Sequence, residues 1–426
     1  MMRNANCKCV PQTMLKGEIT MTANNVQTEK GQGIKAFKIG SVCILTYVIN
    51  YYVRNILGVL TPYMVDDGAY TEGYLALLAS IYMVFYAAGQ LVNGIIGDII
   101  KPKYMVSLGL AVTGTGLFTV SFVNHSTVGM IAFGVIGYGL SMMRGPLVKV
   151  ISENTLPKYA RLCCTFLSFA GFAGPLLAGL AAMIMKWHSV FVFSGIIALA
   201  AAVISFLLLT LFEKLGMVKP IEKSTQTEKK KLDILAVFKL PNFATYVIVA
   251  MVVEIAAISI NFWMPTFFGD SLGLSKTTAN SAFSAISLLR SCMPFVSLYI
   301  FKLLKEKDLL ILRIFFSASA VLLFLVVLID APAGRLVLFT LSLMCCSVSS
   351  STLWSIYIPN LGKSGKVSSA NGIIDCIGYI GASVFNVAVV PIMDAFGWGG
   401  TILSWCGIML VGAASTLLAN NKKENY

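Results

Sequence analysis

Five charged residues stand inside stretches that are otherwise apolar: Arg54, Arg144, Glu254, Arg290 and Asp375. A guanidinium presents planar, forked donors that hold a carboxylate or a phosphate in two parallel hydrogen bonds. A carboxylate in the same setting either neutralises an arginine or carries a proton. Three arginines against two carboxylates leave this interior with a balance of +1, which suits an anionic ligand. Each such group costs about 2.5–3.5 kcal/mol at the centre of a membrane helix, so five impose roughly 12–18 kcal/mol that apolar neighbours must offset. Each is also open to a plainer role, as a structural ion pair or a side chain reaching for the interface. That applies most readily to Arg144 and Asp375, which lie near the ends of their runs.

The residue types that catalysis would need are missing. The two histidines, His125 and His188, fall at the ends of apolar runs. No HExxH or nucleophile motif occurs, and Gly114-Thr-Gly116 is a lone glycine pair inside a helix. Of the ten cysteines, Cys43, Cys163, Cys164, Cys292, Cys345, Cys346, Cys376 and Cys406 lie in apolar stretches, where a free thiol behaves as a small hydrophobe. Cys7-Lys8-Cys9 has neither the spacing nor the second pair of a zinc site. No enzyme, metal site, cofactor or disulfide framework is expected.

The elements that must position the five charges are membrane helices. The chain is 57% hydrophobic and 12% charged over 426 residues. A bilayer core takes about 20 apolar residues per helix, and twelve such runs are predicted. They lie at roughly 41–65, 74–97, 104–123, 128–150, 161–186, 188–212, 243–268, 278–301, 309–329, 335–359, 368–393 and 399–419. None alternates every second residue as barrel strands do. The expected fold is all-α, twelve helices in two six-helix bundles. Residues 1–38 would be a cytoplasmic tail, 39–212 the first bundle, 213–240 a cytoplasmic linker, 241–420 the second bundle, and 421–426 a cytoplasmic tail.

The net charge of +13 follows from the same topology. With both termini cytoplasmic, 26 of the 32 Lys and Arg fall on the cytoplasmic side, and three (Lys186, Lys276, Arg335) outside. That asymmetry orients membrane proteins, so a nucleic-acid partner is not needed to explain the charge. The first 38 residues are polar and the first apolar run is long enough to span, so no cleavable signal peptide is expected. Met14 and Met21 are alternative starts to Met1.

The two halves carry a trace of a repeat. Matching Pro62 to Pro265 also brings Asp67 onto Asp270 and Arg54 onto Ala257. Gly171-Phe-Ala-Gly174 in the fifth run resembles Gly378-Tyr-Ile-Gly381 in the eleventh, small residues that let helices approach. Helical spacing then gathers polar stripes. Tyr47, Asn50, Tyr51, Arg54, Gly58 and Thr61 share a face of the first helix, and Glu254, Ala257 and Asn261 one of the seventh. Ser284, Ser287, Arg290 and Ser291 align on the eighth, Asn371, Asp375 and Gly378 on the eleventh, and Tyr82, Tyr86, Gln90 and Asn93 on the second. Lipid rejects such faces, so they should turn toward a water-filled path or a packed interior.

Several motifs resemble a known family. Gly94-Ile-Ile-Gly-Asp98-Ile-Ile-Lys101-Pro-Lys103 is similar to the signature that major facilitator proteins carry between helices 2 and 3. NYYVRNILGVLTPYM (50–64), GYGLSMMRGPLVKVISENTLPKYAR (137–161), SANGIIDCIGYIGASV (369–384) and DAFGWGG (394–400) resemble the organophosphate:phosphate antiporters. The resemblance implies a monomeric multi-pass carrier of the inner cell membrane, exchanging an organophosphate or sugar phosphate for phosphate by alternating access. Gly94, Asp98, Lys101 and Lys103 would form its conformational motif. It implies an arginine on the first helix of each half to clamp the phosphate. Arg54 matches the first of these positions, while Ala257 stands at the second. The family's histidine on the fifth helix has no counterpart, and Lys149 matches a basic residue on the fourth.

The expected substrate site is therefore Arg54 and Arg290 from opposite halves, with Tyr51, Asn50, Lys149 and Arg144. Glu254 and Asp375 would be charge partners or proton carriers: Glu254 paired with Arg290 favours exchange, whereas Glu254 carrying a proton favours symport. Two other readings stay open, a proton-coupled symporter of organic carboxylates such as sugar acids, and a transporter-like membrane sensor.

Overall fold

A computed structural model of the protein describes residues 12–122, 126–219 and 234–419. Cys7, Cys9, His125, residues 220–233 of the basic linker and the 421–426 tail lie outside the described residues. Eleven helices among the described residues are long and apolar enough to cross a membrane. They are α1 (Gly31–Asp66, the spanning part of a helix that begins at Gln12), α2 (Glu72–Ile96), α3 (Pro102–Phe122) and α4 (Thr127–Asn154). Then come α5 (Pro157–Ile184), α6 (Trp187–Lys214), α7 (Phe243–Leu272) and α8 (Lys276–Leu303). The last are α9 (Asp308–Leu328), α10 (Pro332–Ser364) and α11 (Val367–Ser415).

The eleventh helix absorbs two of the twelve expected runs. At about 1.5 Å per residue its 49 residues would extend far beyond a bilayer core about 30 Å thick, but Gly397 breaks it with φ 62° and ψ −160°. Both arms then lie against α7. Gly378 stands against Ala250 and Glu254, while Gly412 stands against Val252 and Ser415 accepts from the Thr245 hydroxyl. Residues 378 and 412 thus sit at similar depths on one helix, so the chain doubles back at Gly397. Only glycine takes that backbone region without strain.

Local chemistry sets the other boundaries. Thr71 and Ser275 cap α2 and α8, their hydroxyls accepting from the N–H of Tyr74 and Thr278. Pro157 and Pro332 open α5 and α10, where a missing N–H costs nothing. The sequence repeat has a structural counterpart. In the first half Gly174 of α5 packs on the backbone of Tyr51 in α1, and in the second Gly378 of α11 packs on Glu254 of α7.

The halves are joined at the end where the linker leaves α6. A Cβ on Gly94 of α2 would stand 2.7 Å from the Cα of Gly372 in α11, so these helices touch backbone to backbone. The Asp98 carboxylate accepts from Ser368 N–H at 3.1 Å and from Ser369 N–H at 2.9 Å, capping the first turn of α11 from the other half. Lys149 holds that loop from behind. Its ammonium donates to the carbonyls of Gly97 and Asp98 at 3.2 and 2.9 Å and lies 3.5 Å from the Asp98 carboxylate. Lys103 pairs with Glu213 at 2.7 Å, with Lys101 3.8 Å from the same oxygen. Arg161 reaches Asn360 and Glu306 across the same seam.

Candidate functional site

Between the halves lies a cavity of about 810 Å³. Three helices change their winding beside it. α4 breaks at Met142-Met143 immediately before Arg144, α7 widens to a π-helical turn over Ala256–Ile260, and α10 does so over Thr352–Tyr357. Such wide turns inside α-helices are common at functional sites, because they re-aim the side chains that follow. Here Arg144, Ala257 and Trp354 all line the cavity. Pro175 of α5 and Pro294 of α8 line it too, each removing one backbone hydrogen bond from its helix.

Of the expected substrate residues, Arg54, Tyr51, Arg144 and Arg290 line this cavity, together with Glu254. Arg54 is held in an aromatic cage. Its guanidinium donates to the Tyr379 hydroxyl at 2.6 Å and lies 4.9 Å from the ring centre of Tyr86 and 5.6 Å from those of Tyr51 and Tyr379. Arg144 stacks on Trp354 at 3.8 Å and reaches Asp375 at 3.5 Å. Arg290 donates to Asn261 and, at 3.1 Å, to the Ser347 hydroxyl. Among the described residues no carboxylate lies within ion-pairing distance of Arg54 or Arg290. Glu254 faces Asp375, Arg144 and Arg54 electrostatically, so the structure sets it beside the first-half arginines rather than against Arg290.

Three expected residues lie elsewhere. Asn50 is buried and donates to the carbonyl of Leu140 at 2.9 Å and to the Met143 sulfur, bracing α1 on α4. Lys149 is buried against the Gly97–Asp98 loop and is not on the cavity wall. Asp375 is 1% exposed, behind Arg144 and off the cavity wall. For Asn50 and Asp375 the reason is the same: a polar stripe on an inward helix can meet a neighbouring helix as readily as open space.

Other lining residues were not singled out by the sequence. Trp354 and Tyr379 contact two of the arginines, and Ser168, Ser347, Ser350 and Ser351 add hydroxyls. Two signals point to them in retrospect. Tyr379 follows Asp375 by four residues, one helical turn, and Trp354 interrupts the polar run SVSSSTLWS (347–355). Ser284, Ser287 and Ser291 line the wall beside Arg290, as their stripe suggested. The second-half wall is therefore rich in hydroxyls. Much of the first-half wall is apolar or aromatic, through Tyr47, Leu147, Val148, Leu167, Phe172 and Leu176.

Similarity to known proteins agrees with this architecture. The chain is 23% identical over 418 residues to the glycerol-3-phosphate transporter of Bacillus subtilis, covering 89% of this chain and 91% of that one. It is 23% identical over 360 residues to the hexuronate transporter of the same organism, covering 77% and 81%. It is also 23% identical over 265 residues to the membrane sensor protein UhpC of Salmonella typhimurium, covering 57% of this chain and 59% of the sensor. In fold it matches the E. coli fucose:proton symporter FucP with a TM-score of 0.71 at 14% identity, over 90% of this chain and 98% of that one. These relatives are consistent with the resemblance to organophosphate:phosphate antiporters read from its motifs. Residues 43–386 match the description of the Major Facilitator Superfamily, and the chain belongs to that family of multi-pass membrane transporters, which are not enzymes.

Proposed function

We propose that this protein is a secondary active transporter that moves a small organic anion, an organophosphate or sugar phosphate, in exchange for phosphate. It crosses the inner cell membrane twelve times, with both termini and the basic linker in the cytoplasm. The observation that carries this reading is the pair Arg54 and Arg290. They come from opposite halves, line one cavity, and have no carboxylate within ion-pairing distance among the described residues. An anion held between them would draw the halves together, which is what alternating access requires of a substrate. The glycerol-3-phosphate transporter among the relatives supports an organophosphate. With the seam tied at the linker end, the cavity faces the outside.

A second reading is favoured by Ala257, where the repeat would place the twin of Arg54. Without a matched pair of arginines on helices 1 and 7, a monocarboxylate such as a sugar acid becomes a good fit, carried together with a proton. The hexuronate transporter among the relatives supports it. The sensor relative keeps a third class open, in which ligand binding occurs without transport.

The decisive measurement is a thermal-shift screen of the purified protein against phosphate, glucose 6-phosphate, glycerol 3-phosphate, D-glucuronate and dicarboxylates, followed by counterflow in proteoliposomes. A ligand that binds the folded state raises its stability. Stabilisation by phosphate and phosphate esters, with phosphate-driven counterflow, is the expected result. Stabilisation by D-glucuronate alone overturns exchange with phosphate, and stabilisation with no counterflow by any ligand favours the sensor.

A further inference from the structure

Resting on the reading of the cavity as an organic-anion site, we propose that Asp375 is the proton-binding carboxyl of this carrier. The proton arrives when the anion takes the Arg144 guanidinium away from it. The geometry is asymmetric. Arg144 lines the cavity and its side chain is 15% exposed, whereas Asp375 is 1% exposed and lies behind it. The only ion pair of Asp375 among the described residues is the 3.5 Å approach of Arg144 to Oδ1, and its Oδ2 has no hydrogen-bond partner there. A buried carboxylate with one long contact depends on that contact to stay charged. An anion entering the cavity competes for the same guanidinium, because Arg144 lines the cavity while Asp375 does not.

Charge counting gives the same result. The groups facing Asp375 are Arg144 from α4, Arg54 and Tyr47 from α1, Tyr86 from α2, Glu254 from α7, and Cys376 and Tyr379 on its own helix. Two arginines oppose two carboxylates, so the cluster is neutral when empty. An anion that draws Arg144 to itself leaves Asp375 and Glu254 facing Arg54 alone, and one proton removes the excess negative charge. Glu254 lines the cavity, where water can solvate it, while Asp375 has no such recourse. The proton comes from water on the side the cavity faces and forms the Oδ–H bond. It returns to water on the other side once the anion has left and Arg144 has closed back on Asp375.

The test uses full-length protein and glucose 6-phosphate, glycerol 3-phosphate, inorganic phosphate and D-glucuronate as probes. Proton uptake on binding makes affinity fall as pH rises, by up to about tenfold per unit for one proton. Wild type should show that slope for D-glucuronate, whose own ionisation is complete in this range. Asp375→Asn should bind it with no slope, and Glu254→Gln should keep the slope. In infrared difference spectra the protonated-carboxyl stretch should grow on adding D-glucuronate to wild type and be absent in Asp375→Asn. Arg144→Met should show the band with no probe present, which serves if Asp375→Asn does not fold. An unchanged slope in Asp375→Asn, a slope lost in Glu254→Gln, or a band indifferent to both Asp375→Asn and Arg144→Met overturns the assignment. If no probe binds, the organic-anion reading fails. Acid titration of the ligand-free protein then decides for Asp375 alone, by whether Asp375→Asn removes a carboxyl band.

Discussion

The Arg54 guanidinium donates to the Tyr379 hydroxyl at 2.6 Å across 325 positions of sequence, from α1 in one half to α11 in the other. Tyr86 of α2 closes the cage, its ring 5.7 Å from that of Tyr379 and edge-on to it. A cation that lines the cavity is thereby tied to both halves at once, so an anion that reorganises Arg54 acts directly on the contact between them.

Arg54→Lys should cripple binding while the fold survives. A lysine keeps the charge but not the planar fork or the stacking surface. Losing one charge-assisted hydrogen bond costs about 1.5–3 kcal/mol, equivalent to about 10- to 150-fold in affinity. Titration of the stabilising probe against the variant measures this, and an unchanged affinity would remove Arg54 from the site.

Ala257→Arg should add the missing twin. The position lines the cavity one turn from Glu254, and a second fork there should favour a phosphate dianion over a monocarboxylate by about tenfold. Competition between glucose 6-phosphate and D-glucuronate gives the ratio. If the ratio does not move, the new arginine has been neutralised by Glu254.

Asp98→Ala should loosen the linker-end seam. Losing a helix cap costs about 0.5–2 kcal/mol, which shifts a two-state equilibrium about 2- to 30-fold. Cys346 is buried yet lines the cavity, so its alkylation by a bulky thiol reagent reports how long the cavity stays open at the opposite end. The rate should fall in the variant. A rate equal to wild type would mean that Asp98 does not hold this conformation.

Gly372→Ala should separate α2 from α11. The added Cβ would stand 2.2 Å from the Gln90 carbonyl oxygen, which is backbone and cannot swing aside. Overpacking of this kind costs about 1–3 kcal/mol, so thermal stability should drop and transport with it. Gly407→Ala, whose Cβ meets nothing within 4 Å, should lose neither and serves as the control.

Much of this protein is written in its composition and periodicity. Apolar runs of bilayer length exist because no polar backbone survives in lipid outside a helix, and charges within them stand out for the same reason. That logic alone picks out Arg54, Arg144, Glu254, Arg290 and Asp375, and helical spacing adds Tyr51 and the serines of α8. Periodicity tells which residues share a face, but not what lies opposite. Asn50 had the right face and met a neighbouring helix, and Lys149, expected from the family resemblance, met the Gly97–Asp98 loop, whereas Trp354 and Tyr379 reached the arginines from helices with no sequence link to them. The pairing of Arg144 with Asp375, the bond from Arg54 to Tyr379 and the capping of α11 by Asp98 all join residues more than 200 positions apart. Only packing of the two halves could bring them within reach, because a hydrogen bond is settled over about 3 Å and a helix face leaves its partner undetermined by far more.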